Sequence, residues 1–374
     1  MFRSLLVLLA VSSSALAAEP DPAQPYSAAR SDVVTYDIDF RAIVTAPQNT
    51  KKLRVWVPVP KSDRGQEVKP GRFSTFPQDV KPAMNAEPVF GNAFAYFEFD
   101  SPQGAQIIEH RFTATVWELR WNVDPAKVER VAKWPAAFEP FRRGESQVIV
   151  DDRVRKLAAE IAGANSNPAG ELDSILAWAH DNLTYDHTTT SLIASTDHAL
   201  TKKRGDCSDY HGLCSSLGRS LGLPTRVAYG LHLFPKNLPV HCKLEAYLMP
   251  YGWVSFDVSE TQRLIRAIEA NPELKDRKEQ LVKAAAARLR SGFRDNTWLM
   301  HSKGTDYDLS PKASRKVPLI ATIYAEADGK PLPLPDPADP TKREFSWMTA
   351  HQYTADRETV VYPFRDWRSL EAKK

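Results

Sequence analysis

Between positions 204 and 260 the hydrophobic pattern changes period twice, and this limits the folds open to the chain more than any other feature. The stretch reads RGDCSDYHGLCSSLGRSLGLPTRVAYGLHLFPKNLPVHCKLEAYLMPYGWVSFDVSE. Its first part predicts a helix. Asp206 is placed to accept the backbone N–H groups of a first turn that opens on Cys207. Leu213, Leu217 and Leu221 recur at helical spacing, and Gly222 with Pro224 stops the run. Extended segments follow at 225–234, 241–249 and 252–258, the last two joined by a turn at Pro250 and Tyr251. A helix opening on a cysteine and packed on antiparallel strands is an α+β arrangement.

That order carries chemistry. A thiol at a helix N-terminus faces unpaired N–H groups and the positive end of the dipole, which favour thiolate. His241 begins one arm of the expected hairpin and Asp257 ends the other, so antiparallel pairing draws them together. Their offsets from the turn differ by about three residues, roughly 10 Å of strand. A bulge or a longer turn is therefore expected. Cys207, His241 and Asp257 then supply a nucleophile, a base and a group that orients the base.

The residues Arg204-Gly-Asp-Cys, Leu223-Pro-Thr-Arg-Val-Ala-Tyr-Gly, His241 and Gly252-Trp-Val-Ser-Phe-Asp-Val-Ser resemble the bacterial transglutaminase-like superfamily. The resemblance implies a papain-like core with a Cys–His–Asp triad, carried here by Cys207, His241 and Asp257. It departs at one place. A small residue and Trp usually follow the family's histidine, whereas Cys242 and Lys243 stand here. Trp178 and Tyr185, upstream of the thiol, read as core residues; the resemblance also implies that aromatics of this region can lie near the thiol, which keeps an oxyanion or groove role for Tyr185 as the lesser option.

A metal site is the rival reading. Cys207, His211 and Cys214 fall at i, i+4 and i+7 on one helix face, and His241 or Cys242 would complete a tetrahedron for zinc. Structural zinc cysteines usually come as close pairs on turns, and this arrangement leaves Asp257 without a purpose. No metal and no cofactor are expected. Three cysteines are no disulfide framework. Cys214 reads as an inert core residue. Cys242 alternates with His241 along its strand and is expected on the opposite sheet face; a Cys214–Cys242 bond is disfavoured. Asp209 adds negative charge near the thiol, while Lys202, Lys203 and Arg204 read as a solvated loop.

The rest of the chain frames this core. Residues 1–17 read as a signal peptide, with Arg3, an apolar run and the small-residue end Ala15-Leu16-Ala17. Export to a periplasm, or secretion, is expected, and no later segment approaches the ~20 apolar residues of a membrane span. A leader at 18–32 precedes a β-sandwich-like domain at 33–135. There Tyr36, Ile38 and Phe40 alternate with Asp37 and Asp39, and Leu53, Val55 and Val57 with Arg54 and Trp56. Both faces of the run holding Phe94, Ala95, Tyr96 and Phe97 are apolar, which predicts burial on two sides. The sandwich resembles the β domain that precedes the core in many bacterial members of the family. The core is expected at 140–262, with apolar stripes on Val150, Val154, Leu157 and Ile161, then on Leu172, Ile175 and Leu176. An amphipathic helix at 272–290 and short strands form a C-terminal extension, 263–374.

A net charge of +3 with 25% charged residues gives no basic field for nucleic acid. The expected partner is a peptide or protein, from the cell envelope if the chain is exported. The expected reaction is amide hydrolysis through a thioester. Transamidation shares its first half, and a silent peptide- or envelope-binding protein is the non-enzymatic alternative.

Overall fold

The computed structural model describes residues 19–234, 240–336, 338–339, 341 and 347–371. The expected signal peptide, 1–17, lies outside them. In the strand Ala29–Thr45 the buried residues Val34, Tyr36, Ile38, Phe40, Ala42 and Val44 are every second one, the period of a half-buried strand. This strand pairs antiparallel with Ala105–Arg120 on one side and with Trp347–Ala355 on the other. A second sheet forms where Lys52–Val59 pairs with Ala93–Asp100 and with Tyr324–Ala327. The sheets close on each other through Phe40, Val44, Val55, Val57, Phe97 and Ile108. The two-sided burial expected near Phe94 has a visible cause. Trp56, Phe94 and Tyr96 lie on the other face, beneath Tyr307, Leu309, Val317 and Ile320.

Six helices follow among the described residues: α1 (Asp152–Ala162), α2 (Pro168–Asn182), α3 (Thr196–Lys202), α4 (Cys207–Ser220), α5 (Val258–Ala270) and α6 (Lys278–Arg290). Val154, Ala158 and Ala162 give α1 its buried stripe, and the Asn167 side chain caps α2. These helices pack with α4 against a four-stranded antiparallel sheet. Its order is Gly252–Phe256, Val240–Leu248, Thr225–His232, Trp298–Lys303.

Two expectations need correction. The helix expected at 272–290 is a short 3-10 turn at Pro272–Leu274 followed by α6, while α5 was not expected at all. The stretch 263–374 is more than an extension, because it supplies a strand to the core sheet and two to each sheet of the sandwich. The leader packs onto this framework. Tyr26 and Ala28 sit in the main core, the Tyr26 hydroxyl donates to Glu245 at 2.6 Å, and the Trp253 indole donates to the Pro22 carbonyl at 2.9 Å. Among the described residues no helix is long and apolar enough to cross a membrane.

Candidate active site

The site begins at the first turn of α4. The Asp206 carboxylate accepts the N–H groups of Ser208 at 2.8 Å and Asp209 at 3.4 Å, and the Ser208 hydroxyl at 2.6 Å. These capping bonds leave out the N–H of Cys207, the first residue of the helix. Burial of Leu213 and Leu217, each worth about 1.5–3 kcal/mol, seats α4 in the core. Gly222, at φ +82°, takes the left-handed turn that ends it. Gly205 serves a different need. A Cβ there would lie 2.3 Å from the Asp209 carboxylate, so only glycine fits behind the nucleophile. Asp209 is itself committed, accepting the Thr190 hydroxyl at 2.8 Å and the Ser191 N–H at 3.0 Å. It braces the loop before α3 rather than standing as a free charge beside the thiol, and burial favours its protonated form.

The strands bring the partners. Val240–Leu248 and Gly252–Phe256 pair regularly from Leu248 opposite Gly252 to Leu244 opposite Phe256, so the expected bulge is not there. Carried one step further, this register puts Lys243, not His241, across from Asp257. Asp257 instead reaches diagonally, a span that side chains on one sheet face can cross. It is the N-cap of α5, where Oδ1 accepts the Glu260 N–H at 3.0 Å and the Ser259 hydroxyl at 3.2 Å. Its Oδ2 meets His241 Nε2 at 2.8 Å and Lys243 Nζ at 2.6 Å. Lys243, standing where the family resemblance leads one to expect Trp, thus fills the position opposite the acid. It is 1% exposed and also lies 3.5 Å from Asp295.

Charge in the site follows from these contacts. Burial alone would protonate Asp257, but His241 and Lys243 hold it well below the usual carboxylate range. Burial likewise works against a charged His241, yet Asp257 and the Cys207 thiolate outweigh it and raise the imidazole to about 9. The Cys207 thiol is brought down to about 6, chiefly by a hydrogen bond from Cys242, against burial and with help from His241. Between these values the pair is thiolate and imidazolium. With Nε2 given to Asp257, Nδ1 is the nitrogen left for proton exchange, and it makes no conventional hydrogen bond. Loose contacts of this kind tighten when substrate is bound.

The remaining sequence candidates fall in different places. Tyr185 pairs with Gly205 in a two-residue parallel bridge and packs against the Cys207 cluster, and its buried hydroxyl has no hydrogen-bond partner among the described residues. Leu319 and Ala321 pack on the same cluster, leaving Cys207 8% exposed. Trp178 packs against the main core, with the Lys203 ammonium 4.6 Å from its ring centre. Cys214 is sealed among apolar residues, and burial pushes its thiol to about 12. Cys242 lies beside Cys207 and not beside Cys214. The strand alternation that separates Cys242 from His241 does not take it away from the thiol.

The rival metal set is not assembled. Cys214 belongs to a different cluster from Cys207, and both ring nitrogens of His211 are engaged, Nδ1 with Cys242 at 3.5 Å and Nε2 with the Val258 N–H at 3.3 Å. His232, His241 and Glu260 do bring ligand atoms within 4.8 Å of one another. Their geometry suits a metal poorly. A metal lies in the plane of each imidazole that binds it, and the His232 and His241 rings are stacked, 15° apart in plane with centroids at 4.7 Å. Glu260 is also paired with Arg263 and Arg365.

A cysteine at a helix start, facing a histidine–aspartate pair on an antiparallel sheet, is the arrangement of a transglutaminase-like core, and the similarity to that superfamily falls on this core. Residues 155–258 match the family model described as the transglutaminase-like superfamily. An uncharacterized protein of Haemophilus influenzae is 22% identical over 348 residues, covering 83% of this chain and 90% of the relative. The crystal structure of a candidate cysteine protease from Cytophaga hutchinsonii superposes with a TM-score of 0.61 at 15% identity, across 91% of this chain and 97% of that one. The likeness therefore extends over the sandwich as well as the core.

Proposed function

We propose that this protein is an exported cysteine-nucleophile hydrolase that cleaves amide bonds of peptides or proteins through a thioester. The observation that carries the reading is the 2.8 Å bond from His241 Nε2 to Asp257, with a thiol of low proton affinity beside that imidazole. Cys207 Sγ attacks the amide carbonyl carbon, and the carbonyl electrons move onto oxygen. In this reading the Cys207 N–H, outside the cap bonds, and the Tyr185 hydroxyl, packed on the same buried cluster, receive that oxyanion. Collapse expels the amine, which takes its proton from His241. Water, deprotonated by His241, then cleaves the thioester and frees the acid. An amine in place of water would give transamidation, but hydrolysis needs neither an acceptor site nor shelter from water. The N-terminal sequence supports export, and envelope peptides are the substrate class consistent with it.

The test is a mass measurement. Protein exposed to envelope peptides, with and without a millimolar primary amine, should carry an acyl adduct on Cys207 and release free acid. Cys207→Ala should show neither. Amide product forming faster than acid would assign transfer instead. No adduct and no turnover in the wild type, with peptide bound all the same, would leave a binding protein.

A further inference from the structure

His211 and Cys242 are buried, have no part in the Cys–His–Asp sequence of steps, and touch one another at 3.5 Å through Nδ1 and Sγ. Their order can be read from the far end. The Val258 backbone N–H can only donate, and it lies 3.3 Å from His211 Nε2. Nε2 is therefore the unprotonated nitrogen, and Nδ1 carries the hydrogen. Nδ1–H then donates to the Cys242 sulfur, which leaves the Cys242 S–H free to point elsewhere. Its neighbours in the same buried cluster are Cys207, Val227 and Tyr229. Cys207 is the one among them that becomes an anion.

We propose that Val258 N–H, His211 and Cys242 form a second hydrogen-bond relay that ends on the Cys207 sulfur and stabilises its thiolate independently of His241. This deepens the nucleophile reading above and rests on it. Cys242 is a catalytic residue in the sense that it touches the reacting atom, whereas His211 positions it. No proton is lost along the relay. The Cys207 proton still goes to His241, and Cys242 keeps its own throughout. When the sulfur forms the thioester it gives up its charge, so the Cys242 contact weakens, then strengthens again as the thiolate departs.

The surroundings agree with this direction. Burial lowers the proton affinity of His211 to about 3, so the ring stays neutral and keeps one donor and one acceptor nitrogen. The charged groups around it are Asp257, 3.8 Å from Nε2, with His241, Lys243 and Glu260. Those around Cys207 are His241 and Asp206. The sulfur of Cys242 is held protonated by burial and by the Cys207 thiolate. The relay also gives a reason for cysteine at the position after the histidine, where the family resemblance implies only a small residue. Alanine would fill that space without donating.

The experiment is the pH dependence of iodoacetamide alkylation at Cys207, read peptide by peptide in full-length wild type, Cys242→Ala and Cys242→Ser. In the wild type the rate should rise with an acid-side midpoint of about 6. Cys242→Ala should move that midpoint up by about one unit, an about fivefold slower reaction at pH 6, the scale of a hydrogen bond to a charged acceptor. Cys242→Ser, whose hydroxyl can still donate, should stay close to the wild type. An unchanged midpoint in Cys242→Ala overturns the relay, and so does an equal shift in both variants, which would mark a packing effect. Wild-type Cys207 reacting no faster than Cys214 would sink the nucleophile reading itself, a result separable from either of those.

Discussion

Replacing Lys243 with methionine removes the ammonium that sits 2.6 Å from Asp257 and 3.5 Å from Asp295 inside the core. Asp257 keeps His241 and two donors at the start of α5, but Asp295 is left worse off. Its Oδ1 has no hydrogen-bond partner among the described residues, and burial already raises its proton affinity against the pull of Lys243. Breaking a buried pair from one side costs about 3–5 kcal/mol. Part of that cost can be avoided if Asp295 takes up a proton on folding. A group whose folded-state value is raised contributes fully below its unfolded value, ~4 for Asp, and loses that contribution as pH climbs through the folded value. The loss reaches about 1.4 kcal/mol per pH unit for one proton. The deficit of Lys243→Met should therefore be smaller at pH 5 than at pH 8. Urea unfolding followed by tryptophan fluorescence at both pH values measures it. Lys243→Met/Asp295→Leu should recover much of the loss, since apolar replacements of buried charges are often neutral. A single-variant loss below ~1 kcal/mol at pH 8, or an equal loss at both pH values, would refute the claim that Lys243 neutralises the acid side of the site.

Two further outcomes are expected. Turnover should follow a bell with limbs near pH 6 and pH 9, because activity requires Cys207 ionised and His241 protonated; a rate still rising at pH 10 would contradict the ion pair. Gly205→Ala should destabilise the fold by about 1–3 kcal/mol, because its Cβ meets the Asp209 side chain; Gly205→Ala/Asp209→Ala should not restore it, because the Asp209 Cβ, 2.6 Å away, stays in place, and calorimetry compares the two.

The local signals around the nucleophile could be read from the sequence because each spans only a few residues. Asp206 caps α4 as a short polar side chain before a helical stripe should, and Gly222 ends it. The alternation through Tyr36, Ile38 and Phe40 is likewise local. What escaped was long-range or doubly used. Asp257 read as the triad acid, which hid its second task as the cap of α5, and the helix starting at Val258 was missed with it. The strand Trp298–Lys303 is buried almost throughout, so its burial does not alternate along the chain. The hairpin offset seemed to demand a bulge because it treated Asp257 as facing His241 squarely; the occupant of the facing position was Lys243, which the sequence showed only as a departure from the family pattern. Cys242 was sent to the far side by alternation from His241, but the packing of α4 on that strand decided where the thiols meet.

The pairing of Ala29–Thr45 with Trp347–Ala355 bears on the order in which the chain can be completed. As a nascent chain lengthens, the helices and strands that carry Cys207, His241 and Asp257, and the sheet they form, are all present by residue 303, with Leu319 and Ala321 closing on the thiol soon after. The sandwich must wait for residues 324–327 and 347–355, more than 40 residues later at its last strand. Until then the long first strand has one neighbour and an open row of N–H and C=O groups on its other edge, the form of backbone most prone to pair with another chain. Losing the last thirty residues would therefore leave the nucleophile's own segments whole but return the molecule permanently to that half-closed intermediate.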